Sequence, residues 1–81
     1  MTCRVRLFAR ARDLAGADAL SVSLPPGATV GDLRRRLAVD RPALAELLPR
    51  CAVAVAGEFA EDSLPLPDGA EVALLPPVSG G

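Results

Sequence analysis

Residues 2–9 alternate, with Cys3, Val5, Leu7 and Ala9 in one phase and Thr2, Arg4, Arg6 and Phe8 in the other. A period of two is that of a half-buried strand, because successive side chains point to opposite faces of the pleat. Phe8 breaks the rule as a large apolar ring on the polar phase. Residues 10–16 read as a short helical turn closed by Gly16, since glycine readily takes the left-handed conformation that ends a helix. Residues 19–24 alternate again, Leu20, Val22 and Leu24 against Ser21 and Ser23. Two strands this close in sequence predict an antiparallel pair, and Pro25-Pro26-Gly27 ends the second.

The apolar period then lengthens. Val30, Leu33 and Leu37 recur at helical spacing, which predicts the main helix. Thr29 with Asp32 three residues later has the form of a capping box. Asp40-Arg41-Pro42 breaks the pattern. Pro42 suits the first turn of a second short helix, running through Leu48 and ended by Pro49. Cys51, Val53 and Val55 alternate with Ala52 and Ala54, and small residues on the second face predict a central strand packed closely on both sides. Gly57 makes a turn, Phe59 lies in the acidic stretch 58–62, and Leu64-Pro65-Leu66 reads as a buried loop or edge segment. Pro67-Asp68-Gly69 is a turn signal. The last strand, residues 71–75, sends Val72 and Leu74 inward and leaves Leu75 on the opposite phase. The predicted class is α+β: a sheet of four to five strands with one main helix and one or two short ones.

Composition narrows what such a domain does. With 81 residues the chain makes one domain, near the lower end of what a single core stabilises. The only aromatics are Phe8 and Phe59, so Leu and Val must build the core. A net charge of −1 supplies no field for nucleic acid or an anionic membrane. All nine basic residues are Arg, which leaves no side-chain amine to acylate. No apolar run approaches the ~20 residues of a membrane helix, and the N-terminus shows no secretory pattern. These features predict a cytoplasmic protein with reduced thiols, although sequence leaves a Cys3–Cys51 disulfide open.

Catalytic motifs are missing. There is no His, no Gly-rich phosphate loop and no Cys-x-x-Cys. The carboxylates of Asp13, Asp18, Asp32, Asp40, Glu58 and Glu61 show no paired spacing. Cys3 and Cys51 fall at inward strand positions, where a thiol acts as a small hydrophobe. The run Arg34-Arg35-Arg36 reads as a solvated helix face ahead of a partner surface. What remains is the end of the chain. The strand runs into Pro76 and Pro77, which lack N–H groups and favour an extended exit. Val78, Ser79, Gly80 and Gly81 follow. The six residues after Leu75 span roughly 20 Å when extended, and the two glycines let a narrow channel close around the backbone. The organisation is a folded domain at 1–75 and an extended tail at 76–81 that presents a terminal carboxylate.

The order β-β-α-β-β with a Gly-Gly end resembles the β-grasp, ubiquitin-like proteins. More narrowly it resembles the MoaD-type sulfur carriers, the small subunits of molybdopterin synthases. The residues that carry the resemblance are Leu7-Phe8-Ala9, Arg12-Asp13-Leu14-Ala15-Gly16, Thr29-Val30-Gly31-Asp32-Leu33, the stretch from Leu66 to Val72, and Pro76-Pro77-Val78-Ser79-Gly80-Gly81. It covers essentially the whole chain. At Ala56-Gly57 the chain departs from relatives that often carry Asn at the end of the third strand.

The resemblance implies a mixed β-grasp sheet and a mechanism centred on Gly81, with Gly80 beside it. An α-carboxyl group, ionised above a pH of about 3.5, attacks the α-phosphate of ATP on an activating enzyme and forms a glycyl adenylate. Sulfur then displaces AMP and leaves a thiocarboxylate, which delivers sulfur to cyclic pyranopterin monophosphate in the large subunit. The implied partners are a large subunit of the MoaE type, in a heterotetramer, and an E1-like adenylyltransferase of the MoeB type, with neither nucleic acid nor membrane. No cofactor is held by this chain, ATP being used by the activating enzyme, and no metal site is expected. The chain would not be catalytic alone. Two rivals share the tail: a carrier for thiamine thiazole or cysteine synthesis, and a ubiquitin-like modifier. For docking, Phe8, Phe59 and Leu75 are expected to form one exposed apolar patch beside the exit of Pro76, Pro77, Val78 and Ser79.

Overall fold

The computed structural model describes residues 1–77 of the chain. Its elements are β1 (Thr2–Leu7), α1 (Ala9–Ala15), β2 (Ala19–Ser23), α2 (Val30–Asp40), two 3₁₀ turns (Pro42–Leu44 and Leu48–Arg50), β3 (Ala52–Val55), β4 (Glu58–Phe59) and β5 (Glu71–Leu75). The strands form one mixed sheet in the order β2-β1-β5-β3-β4. β5 runs parallel to β1 and antiparallel to β3, and β1–β2 and β3–β4 are antiparallel pairs.

One face of the sheet carries the core. Cys3, Val5 and Leu7 of β1, Val22 of β2, Val53 and Val55 of β3, and Val72 and Leu74 of β5 are all buried. Val30, Leu33 and Leu37 of α2 are buried with them, together with Leu44, Leu47 and Leu48 from the 3₁₀ turns. Burying one such side chain stabilises the fold by about 1.5–3 kcal/mol. Helix α2 starts as its sequence requires. The Asp32 amide donates to Thr29 Oγ1 at 3.2 Å, and the Thr29 amide donates to Asp32 Oδ2 at 2.9 Å. Two more of its first-turn amides, on Val30 and Gly31, donate to the carbonyls of Leu64 and Asp62 at 3.0 and 2.9 Å. These four bonds satisfy donors a helix start leaves open, and the last two tie the 61–66 loop to α2.

Several expectations need correction. β1 stops at Leu7, not at residue 9: Ala9 is exposed, has φ 50°, and opens α1. The chain must leave the sheet there to reach the helix layer, and the sharp turn places Ala9 off the strand phase. The second short helix is instead two 3₁₀ turns, and Pro49 lies inside the later one. The central strand is β5, not β3, and Ala52 is exposed. Small residues on β3 therefore mark a face on which none of the described residues packs. In the 64–66 segment only Leu66 is buried.

The arginine run divides in three. Arg34 is largely covered and donates to Asp62 Oδ1 at 2.7 Å and to the Leu48 carbonyl at 2.6 Å. Arg35 pairs with Asp32, and Arg36 with Asp40, both along the exposed side of the helix. Cys3 and Cys51 are both buried and free.

Candidate functional site

The site begins where β5 ends. Leu75 pairs with Ala52 of β3, and beyond it Pro76 is half-buried and Pro77 exposed. A proline offers no donor to either neighbouring strand, so the ladder stops at Leu75. Val78, Ser79, Gly80 and Gly81, on which the expected sulfur chemistry rests, lie outside the described residues.

Among the described residues nothing covers the sheet face opposite the core, and the residues of that face follow from the register. Arg6 pairs with Ala73, Ala73 with Ala54, and Ala54 with Phe59. Directly paired residues share a face, so these four form one row across β1, β5, β3 and β4. Leu75 and Ala52 make the next row toward the tail. Phe8 follows the last residue of β1, and its ring lies 5.5 Å from the Arg6 guanidinium carbon. Phe8, Phe59 and Leu75 therefore share one face of the molecule. They are not one tight patch, however: β5 and β3 separate Phe8 from Phe59, a span of roughly 14 Å at ordinary strand spacing.

Ala73, Ala54 and Ala52 form a shallow trough between the two rings. The chain's alternation put these alanines on the phase of Leu75, but only the strand order brings them between Phe8 and Phe59. Phe59 is 78% exposed and Phe8 37%. Phe59 also borders a groove with Leu64 and Leu66 whose rim carries Glu58 and Glu61. Arg4 and Arg6 stand at the other side of the sheet. On the open face Arg4 and Arg6 of β1 lie beside Glu71 of β5, which pairs with Arg4, and the alanines and Phe59 follow, whereas Glu58 pairs with buried Val55 and belongs to the other face.

The two thiols do not join this face. Burial pushes both above the ordinary cysteine range, the nearby N-terminus acting the other way at Cys3 and Arg34 and Arg50 at Cys51. Both stay protonated at neutral pH, and a protonated thiol is a poor nucleophile. No cluster of three His, Cys, Asp or Glu able to hold a metal occurs among the described residues. No helix among them is long and apolar enough to cross a membrane.

A mixed five-stranded sheet in this order, with a long helix across one face, is the β-grasp, ubiquitin-like fold. Within that class the chain belongs to the ThiS family, whose model matches residues 5–81. It is 36% identical over 83 aligned positions to the molybdopterin synthase sulfur carrier subunit of Chlamydomonas reinhardtii, covering 100% of both chains. The crystal structure of SAMP1, small archaeal modifier protein 1, from Haloferax volcanii superposes with a TM-score of 0.89 at 32% identity, covering 100% of both chains. A third likeness is to a chain in the protein–protein complex of subunits 1 and 2 of the molybdopterin-converting factor of Helicobacter pylori. There the TM-score is 0.71 at 28% identity, again over 100% of both chains.

Proposed function

We propose that this chain is the sulfur-carrier subunit of a molybdopterin synthase. The observation that carries the reading is the end of β5: the central strand stops at two prolines on the rim of an uncovered apolar face, in a chain alignable over its whole length with a named sulfur carrier. On this reading the Gly81 carboxylate attacks the α-phosphorus of ATP on an activating enzyme, and pyrophosphate leaves. A sulfur donor displaces AMP and leaves a thiocarboxylate. Inserted into the large subunit, that thiocarboxylate transfers its sulfur to cyclic pyranopterin monophosphate. The protein acts in the cytoplasm and contributes position, holding one reactive group where the partner's residues work. Its two partners are the large subunit, for which the Helicobacter pylori complex is the precedent, and an E1-like adenylyltransferase. The open face docks the large subunit, with Phe59 and Phe8 as anchors and Leu75, Pro76, Pro77, Val78 and Ser79 leading the tail inward.

Reconstitution with a large subunit and an activating enzyme tests the reading. Deleting Gly81, or adding one residue after it, abolishes molybdopterin formation and leaves the fold intact. Formation that persists without Gly81 overturns the mechanism. A second reading, a ubiquitin-like modifier, is favoured by the likeness to small archaeal modifier protein 1. Mass analysis of the protein isolated from cells separates the two, a thiocarboxylate marking the carrier and covalent conjugates the modifier.

A further inference from the structure

The hydrogen-bond pattern of β1 and β2 shows which backbone groups of the sheet edge are free. The N-terminal ammonium of Met1 donates to the Leu24 carbonyl at 2.7 Å, the Leu24 amide donates to the Met1 carbonyl at 2.9 Å, and the Leu7 amide donates to the Asp18 carbonyl at 2.8 Å. In an antiparallel ladder, bonded and non-bonded pairs alternate. With the observed register, Cys3↔Val22 and Val5↔Leu20 are therefore bonded pairs. The N–H and C=O groups of Ala19, Ser21 and Ser23 point the other way. β2 is the outermost strand of the described residues, so these groups have no strand among them to pair with. The next residue in that phase is Pro25, which has no N–H and whose carbonyl accepts from Ala28 at 3.2 Å. The free ladder is bounded at three residues.

We propose that this edge pairs with the same edge of a second copy of the chain, antiparallel and with its two-fold axis at Ser21. The argument is self-complementarity. Centred on Ser21, the pairing sets Ala19 against Ser23, Ser21 against Ser21 and Ser23 against Ala19, so every free group meets a partner. No residue from 19 to 24 is charged, whereas protected edges usually carry charge or proline within the strand. On the open face the meeting side chains are small. On the helix face Leu20, half-buried in one copy, meets Val22 of the other. The groove beside them holds Asp40, the last residue of α2, and Arg41, which caps it, so a symmetric pair brings together equal numbers of both signs. The two Arg4 side chains, each opposite Ser21, are three strand spacings apart, roughly 14 Å, beyond the ~8 Å screening length at physiological salt. The dimer carries one continuous sheet and leaves Phe8, Phe59 and the ends of both β5 strands uncovered. The proposal does not rest on the sulfur-carrier reading.

Sedimentation equilibrium of the full chain over a wide concentration range tests it. One strand pair buries little area, so association is weak, with mass rising from 8.3 kDa toward twice that at high concentration. In the same samples the amides of Ala19, Ser21 and Ser23 gain protection from hydrogen exchange. Ser21→Glu sets two like charges against each other on the axis and returns the protein to monomer, while its thermal melt stays cooperative. Mixing S21E with S21R restores a dimer that neither forms alone. A wild type that stays monomeric throughout overturns the proposal. So does a dimer that S21E leaves intact, and so does protection of the three amides that appears only on adding an unrelated extended peptide.

Discussion

Ala56 and Gly57 form the two-residue turn between β3 and β4, with φ of 51° and 83°. Positive φ at both central positions is what a type I′ hairpin requires, and Asn-Gly is its preferred pair. Alanine meets a steric penalty there that asparagine largely avoids. Ala56→Asn is expected to stabilise the protein by about 0.5–1 kcal/mol, read as a higher denaturant midpoint with an unchanged m-value. Asp32 is the second residue whose role shows at this scale. Hydrogen bonds from the Thr29 amide, the Arg35 side chain and the Thr29 hydroxyl hold its carboxyl below the usual range. A depressed carboxyl pKa stabilises the fold above the unfolded-state value, about 3.9, and that contribution fades as pH falls through the folded-state value. The stability difference between the wild type and Asp32→Asn is therefore full at neutral pH and shrinks below about pH 4. Chemical denaturation at a series of pH values measures it.

At the scale of elements, Arg34 binds three pieces together: α2, the second 3₁₀ turn through the Leu48 carbonyl, and the 61–66 loop through Asp62. Hydrogen bonds from a charged donor in a mostly covered position are worth more than exposed ion pairs. Arg34→Ala is expected to cost about 1–2 kcal/mol, and Arg36→Ala under about 0.5 kcal/mol. Equal losses at the two positions would show that the clasp contributes nothing special. The root of the tail is the other informative element. Replacing Pro76 and Pro77 by glycine leaves the core untouched, so the thermal midpoint should barely move. Sulfur transfer at limiting large subunit should fall, because a looser exit makes the tail harder to order. Unchanged transfer would mean the prolines only end the strand.

At the scale of the whole molecule, the core and the proposed docking surface lie on opposite faces of one sheet, so substitutions separate stability from binding. Leu33 is fully buried between α2 and the sheet, and Leu33→Ala should destabilise by about 2–5 kcal/mol. Phe59, 78% exposed, should do the reverse. Phe59→Ala leaves the melt in place and weakens binding to the large subunit by tens-fold, the loss of an anchor worth about 2 kcal/mol. Phe8→Ala should show both effects in part, since its ring is half-covered and sits beside Arg6. Calorimetric titration and denaturant melts on the same three variants check the division. A large stability loss at Phe59 with intact binding would place the interface elsewhere.

Local rules were enough for much of this protein. Alternation at 3–7, 20–24 and 71–75 marks the inward residues, because a strand's two faces differ by one residue whatever its neighbours. Thr29 and Asp32 mark the start of α2, because the capping box closes within four residues. Pro76-Pro77 marks the end of the sheet, because proline lacks a donor in any context. What tertiary structure alone decided are the relations between distant segments. That β5 lies between β1 and β3 depends on long-range pairing and not on local propensity, and it turns three alanines into the floor of a trough between Phe8 and Phe59. The same pairing leaves β3 open on one side, where its small residues had suggested close packing on both. Arg34 reads as one of three equivalent arginines until the 61–66 loop folds back and puts Asp62 beside it. The free edge at Ala19, Ser21 and Ser23 exists only once β1 has taken the other side of β2, since which half of a strand's backbone groups is satisfied is a property of its neighbour.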